Sequence, residues 1–211
     1  MTSPVLVATR SGHKLREIRE ILAEIGGPEV MDLGEAGVEY DPEEEEIERF
    51  FTFRDNALAK ARHFAAVSGL RTLADDSGLC VDALDGAPGV LSKRFSARTD
   101  LAGAALDAAN NRLLLERLRG VPRGERTAHY VCVAAIADPG EGEVVFEGRC
   151  HGDILEEGRG RGGFGYDPLF FVPAEGATFG ELDPGRKNRI SHRAAAIRSA
   201  APTLLSAALK G

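Results

Sequence analysis

The residues best suited to chemistry fall in three clusters. The first is Thr9-Arg10-Ser11-Gly12-His13-Lys14. It sets hydroxyls, a glycine and a lysine where a short apolar run, Val5 to Thr9, gives way to a helical pattern. The N–H groups and dipole at such a helix start suit a phosphate. The spacing is not that of a full P-loop, and a purely structural turn would explain it as well. The second cluster is Ala74-Asp75-Asp76-Ser77-Gly78. Adjacent carboxylates in extended backbone project to opposite faces, so one can meet a ligand while the other anchors the turn on backbone N–H groups. A carboxylate aimed at a Mg²⁺-bound water can hold the metal, accept a proton, or do both. The alternative is an Asx-type turn with both acids solvated.

The third cluster is Gly162-Gly163-Phe164-Gly165-Tyr166-Asp167-Pro168, with Lys187 and Ser191-His192-Arg193 further on. Glycines around an aromatic let the backbone approach a flat ligand on which the ring stacks. Asp167 can accept from a base or ribose donor. Ser191 reads as a helix N-cap, which puts His192 and Arg193 in a first turn, where cations oppose the helix dipole. Either a ligand recruits them there or the turn is simply solvated.

These clusters must be positioned by regular elements. Val5 to Thr9 reads as a buried strand, followed by a helix from about Lys14 to Ile25 with Leu15, Ile18, Ile21, Leu22 and Ile25 on one stripe. Glu39 to Glu48 is an acidic run, most of it a solvated loop. Thr52 with Asp55 resembles a capping box with Asp in place of Glu, opening a helix to about Val67 that Gly69 ends. Leu73 to Val81 reads as a strand interrupted by a polar turn, and DGAPGVLSKRFS as an ordered loop. Asp100 is placed to cap a helix from about Leu101 to Leu118. His129 to Ala137 and Val144 to Gly148 read as a hairpin about a turn at Pro139 to Gly142, and Leu169 to Val172 as a further strand. The last helix is expected from Ser191 to about Leu209, with Pro202 forcing a kink or break. Strands interleaved with helices predict an α/β fold with a mixed sheet.

The chain has 211 residues, 43% hydrophobic, enough for one domain with its own core. Net charge is −7 and no basic face is evident, which argues against a nucleic-acid partner. The three cysteines, Cys80, Cys132 and Cys150, lack metal-ligand spacing and sit among apolar neighbours, so buried free thiols are expected. The opening MTSPVLVATR shows no basic region followed by a long apolar run, and no stretch approaches a membrane span. A cytoplasmic location and no membrane partner are therefore expected.

With these clusters in view, the chain resembles the inosine triphosphate pyrophosphatase family, house-cleaning enzymes that remove ITP, dITP and XTP. The carrying segments are VLVATRSGHKLREIREIL, TFRDNALAKAR, LADDSGLCVDALDGAPGVLSKRFS, GGFGYDPLFFVP and KNRISHRAAAI, in the family's order and across nearly the whole chain. The resemblance implies a single pyrophosphatase domain over residues 1–211: an elongated mixed β-sheet flanked by helices, with two lobes around a central substrate cleft, forming a homodimer. It implies that Thr9, Ser11 and Lys14 hold the triphosphate, that Asp76 binds Mg²⁺ and either serves as proton acceptor or positions the attacking water, and that Ser77 contacts substrate beside it. Lys60, Lys187 and Arg94 become candidate counter-charges. Phe164, Gly165, Tyr166 and Asp167, with His192 and Arg193, become the base pocket. A pocket donating to a 6-oxo group and leaving an adenine amine unpaired would reject ATP.

The sequence departs from the family pattern in two places. The phosphate turn usually reads Thr-x-Asn-x-x-Lys, and here Ser11 stands for the Asn. Ile47-Glu48-Arg49-Phe50 replaces the usual Glu-Glu-Thr-Gly, which makes Glu48 the first candidate metal ligand and Glu46 the second. Two rival readings follow: a related pyrophosphatase acting on pyrimidine or modified nucleotides, and a nucleotide-binding protein without turnover. The GFGYD and SHR segments argue against the first. Retention of Asp76, Lys14 and Lys187 argues against the second.

Overall fold

The computed structural model describes residues 4–140 and 142–206. In chain order the strands are β1 (Val5–Val7), β2 (Val30–Asp32), β3 (Thr72–Val81), β4 (Thr127–Ala137), β5 (Glu143–Ile154), β6 (Phe170–Val172) and β7 (Ala177–Thr178). The helices are α1 (Gly12–Glu24), α2 (Phe53–Ser68), α3 (Gly103–Arg117), α4 (Pro184–Ile190) and α5 (His192–Leu204). The strands form one sheet in the order β2-β1-β3-β4-β5-β6-β7. β1 pairs parallel with β2 and β3, whereas β6 pairs antiparallel with β5 and β7, so the expected mixed α/β sheet is present. Among the described residues, no helix is long and apolar enough to cross a membrane.

The chain divides into two compact units, and β3, β4 and β5 give residues to both. The first comprises residues up to Asp76, Cys132–Gly148 and the chain from His192. Its core joins Val5 and Val7 of β1, Ile18, Ile21 and Leu22 of α1, Cys132, Ala134 and Ile136 of β4, and Ala194, Ile197 and Ala200 of α5. The predicted stripe of α1 is thus the buried one, with Leu15 and Ile25 at its margins. α5 lies directly on β5: a Cβ on Gly148 would stand 2.2 Å from the His192 carbonyl oxygen, so only glycine fits there. The second unit comprises Ser77–Val131 and Arg149–Ser191. Leu79, Leu114, Leu118, Tyr130, Tyr166, Phe170 and Phe179 fill its core. Tyr130 meets Phe170 edge-on at 4.8 Å between ring centroids.

Local chemistry explains most element ends. Thr52 Oγ1 accepts the Asp55 N–H at 3.0 Å, and its hydroxyl donates to the Asp55 carboxylate at 2.6 Å. Gly69 closes α2 in the left-handed region, at φ 69°. Several expectations need correction. β3 runs without a break from Thr72 to Val81 where a turn was expected, because charged side chains rather than turn N–H groups partner Asp75. α3 starts at Gly103 with Ala102 as an N-cap that makes no side-chain bond. Asp100 does not cap it, since Arg98 takes its carboxylate at 2.7 and 2.6 Å. The DGAPGVLSKRFS segment holds 3-10 turns at Asp82–Leu84 and Gly89–Arg94. β4 and β5 are longer than predicted. Their short connection makes them an antiparallel hairpin, and the predicted turn at 139–142 includes residue 141, which lies outside the described residues. α4 precedes Ser191, so Ser191 is the extended residue between two helices. α5 continues through Pro202 to Leu204, and its predicted end near Leu209 lies outside the described residues. Cys132 and Cys150 are buried free thiols as expected, while Cys80 is half-buried. Burial pushes the Cys150 thiol up to about 11, far from a reactive thiolate.

Candidate functional site

In the first unit, Ser11 is the N-cap of α1: its Oγ accepts the Lys14 N–H at 3.4 Å, and Thr9 Oγ1 accepts the Ser11 N–H at 3.2 Å. The two hydroxyls therefore shape the turn at a helix start, the place where backbone N–H groups meet an anion. Lys14 turns toward β3, with Nζ 3.2 Å from Asp75 Oδ2. Asp75 is 1% exposed and also accepts from Arg193 Nε and Nη2 at 3.3 and 3.0 Å. Arg193, equally buried, pairs through Nη1 with Glu17, one helical turn beyond Lys14. His192 and Arg193 thus open α5 inside the first unit, buried rather than in a solvated turn.

The two adjacent carboxyls of β3 differ in charge preference. Burial alone would push Asp75 up, but Lys14, Arg193 and Lys60 outweigh it and hold the carboxyl far below the usual range. Burial raises Asp76, Lys14 and Lys60 pull it down, Glu48 pushes it up again, and the result lies above the usual value. Asp75 is therefore a fixed counter-charge. Asp76 is the member better suited to take up a proton.

Two residues of α2 face this strand. Lys60 donates to the Asp75 carbonyl at 2.6 Å and pairs with Glu48. Burial would raise Glu48, yet Lys60 and Lys14 overcome it and keep the carboxylate ionised. Asn56 donates to Asp76 Oδ2 at 3.0 Å. Upstream, Arg10 grips Glu44 with Nε and Nη2 at 3.0 and 2.6 Å, and also donates to the Val38 and Glu39 carbonyls. Glu46, by contrast, is exposed and paired with Arg49 at 2.9 Å. Among the described residues, no group of three or more His, Cys, Asp or Glu gathers as a preformed metal site. The donor set nonetheless fits Mg²⁺, which favours oxygen ligands and is held by one or two carboxylates, keeping several waters. Glu48 and Asp76 are the two carboxylates that could serve, since the charge of Glu48 pushes Asp76 up and a cation would relieve that repulsion.

In the second unit, Lys187 and Asp167 are buried together, Nζ to Oδ2 at 2.6 Å. The ammonium also lies 4.9 Å from the Phe164 ring centre and 5.4 Å from that of Phe179. Asp167 Oδ2 accepts the Phe164 N–H at 2.9 Å, which folds the glycine-rich loop back on itself. α3 holds the same loop at Gly165: its N–H donates to Asp107 at 2.8 Å, and its carbonyl accepts from Asn111 at 2.9 Å. The Tyr166 hydroxyl donates to the Ser92 carbonyl at 2.8 Å, and burial pushes that phenol up, so it stays a neutral donor. Ser77 is partly buried in this unit, and Arg94 is exposed at the end of its 3-10 turn.

A family model matches residues 5–203, and its description is the Ham1 family. The chain belongs to the Ham1 family. A dITP/XTP pyrophosphatase of Geobacter sulfurreducens is 49% identical over 193 residues, 92% of each chain. One of Burkholderia pseudomallei is 47% identical over 200 residues, 93% of this chain and 91% of the other. Among solved structures, a HAM1 protein from Coxiella burnetii aligns with TM-score 0.81 at 36% identity, covering 97% of this chain and 98% of that one. A dITP/XTP pyrophosphatase from Mycobacterium abscessus aligns at 0.71 and 41% identity, covering 96% and 100%.

For this Ham1 protein, reading the sequence missed Glu17, Asn56, Asp107 and Asn111. Each carried a signal in helical spacing: Asn56 stands four before Lys60, Asn111 four after Asp107, and Glu17 three after Lys14. It also took one aspartate of the Asp75-Asp76 pair for a backbone anchor, where Asp75 instead receives Lys14 and Arg193.

Proposed function

We propose that this Ham1 protein hydrolyses non-standard purine nucleoside triphosphates, ITP, dITP and XTP, to the monophosphate and pyrophosphate. The observation that supports this most directly is the group around Asp76: a half-buried carboxyl that Asn56 bonds at 3.0 Å, raised above its usual value by desolvation and acted on by the charges of Lys14, Lys60 and Glu48. The relatives named dITP/XTP pyrophosphatase align over more than nine-tenths of the chain. In this reading Thr9, Ser11 and Lys14 at the start of α1 bind the phosphates, with Lys60, Lys187 and Arg94 as further cations. Water attacks the α-phosphorus, Asp76 takes its proton, and the bond to the pyrophosphate oxygen breaks. Ser77 holds the substrate beside Asp76. Glu48 and Asp76 would hold Mg²⁺, which supplies positive charge to the phosphates and acidifies a bound water. Phe164, Gly165, Tyr166 and Asp167, together with His192 and Arg193 at the start of α5, are assigned to the base.

The same reading carries a single domain over the whole chain, a homodimer and a cytoplasmic location. Pyrophosphate release from ITP, XTP, GTP and ATP, with and without Mg²⁺, tests it. Fast, metal-dependent release from ITP and XTP and little from ATP is expected. Release from none of them would overturn the enzyme reading in favour of a nucleotide-binding protein.

A further inference from the structure

The Asn56 side chain is buried and bonded on every side. Its Oδ1 accepts the Phe50 N–H at 2.8 Å, and its Nδ2 donates to the Phe50 carbonyl at 3.2 Å and to Asp76 Oδ2 at 3.0 Å. Asn56 and Lys60 share one face of α2, four residues apart. The same two elements meet both of them. Lys60 joins Glu48 to the Asp75 carbonyl, and Asn56 joins Phe50 to the Asp76 carboxylate. The segment 48–50 carries the departure from the family pattern: Phe50 is half-exposed and Phe51 is 95% exposed, so apolar packing contributes little to holding it. This pair of polar clamps ties it to α2 and β3.

We propose that Asn56 is a positioning residue that holds Glu48 and Asp76 in register as one cation-binding pair. The argument rests on the pyrophosphatase reading above. An asparagine suits this place because it offers an acceptor and two donors from one short, rigid amide. A neighbour that orients a ligating carboxylate is commonly worth 10–100-fold in metal affinity or activity. Asn56 makes no contact with substrate in this scheme. It acts through Asp76 and through the backbone of the Glu48 segment.

The test compares wild type with Asn56→Ala, Asn56→Asp and a control in the same helix, Phe64→Leu. Phe64 is a core residue and serves to reproduce a loss of stability alone. Binding of Mn²⁺ alone is followed by loss of the free-ion EPR signal, and kcat is measured well below each melting temperature. Asn56→Ala is expected to weaken Mn²⁺ binding and lower kcat by about 10-fold or more. Phe64→Leu should lower the melting temperature and leave both unchanged. Asn56→Asp keeps the shape and the acceptor but removes both donations, and its kcat should fall at least as far as that of the alanine variant. An Asn56→Ala protein matching an active wild type in both readouts overturns the inference and leaves the activity standing. Equal losses in Phe64→Leu overturn it too, by showing stability to be the cause. An inactive wild type overturns the activity and this inference with it.

Discussion

Replacing Arg193 by Met tests the charge network behind β3. Arg193 and Asp75 are each 1% exposed, and the guanidinium gives Asp75 two N–H bonds and pairs with Glu17. Methionine fills much of the same volume but leaves Asp75 ionised with only part of its positive surroundings, Lys14 at 3.2 Å and the charge of Lys60. Removing one partner of a buried ion pair typically costs about 3–5 kcal/mol, because the other charge stays in a poorly solvated site. For a chain of this size each kcal/mol is worth roughly 2–4 °C, so the melting temperature should fall by about 6–20 °C. Thermal and urea unfolding followed by circular dichroism would measure it. Asp75→Asn should cost a similar amount, and the double variant less than the sum, since neighbouring groups couple by about 0.5–3 kcal/mol. The pH dependence follows from the low native pKa of Asp75. Between the native and unfolded values the unfolded chain binds the extra proton, so stability rises with pH there. The pair's contribution is then complete above the unfolded value of about 3.9 and lost as pH drops further. The gap between wild type and Arg193→Met should stay constant from pH 8 to about 5 and narrow in stronger acid. A loss below about 1 kcal/mol, or strict additivity in the double variant, would refute the argument.

Two further outcomes follow from the geometry. Glu48→Gln should raise the Mg²⁺ needed for half-maximal turnover by about 10-fold or more, and by more than Glu46→Gln does, since Glu48 lies on Lys60 and Glu46 points to solvent beside Arg49. The reverse order in a metal titration would move the ligand to Glu46. Gly163→Ala and Gly165→Ala should differ although both glycines have positive φ: a Cβ at Gly163 meets Asp167 Oδ2 at 1.9 Å, whereas nothing lies within 4 Å at Gly165. Gly165→Ala should cost only about the 1–2 kcal/mol of left-handed backbone, while Gly163→Ala should lose clearly more stability and raise the KM for ITP, as read by melting and steady-state kinetics.

The parts of this fold legible in the sequence are those decided locally. The stripe of α1, the Thr52 cap and the Gly69 stop each depend on residues within a few positions, and each is found where the pattern puts it. α4 is hidden in the sequence although Asp183 and Pro184 make a good helix start, because Ser191, which follows it directly, is an equally good cap for α5. The strands β2 and β7, three and two residues long, carry no periodicity of their own and exist through pairing. Asp75-Asp76-Ser77-Gly78 is turn-like in composition, yet it is strand, because Arg193, 118 positions away, satisfies the first carboxylate from the side.

That single long-range contact also settles what composition could not. Two identical side chains stand next to each other, and period-two alternation turns them to different surroundings. One finds Lys14 and Arg193 and remains ionised; the other is raised, because desolvation and Glu48 outweigh the pull of Lys14, Lys60 and the Asn56 amide. Their division of labour lies in the partners that β1, α1, α2 and α5 bring to each face, so it is a property of the tertiary fold. The Asp-Asp pair in the sequence marks where the division occurs, and the surroundings of each carboxyl decide which member is held ionised and which is raised.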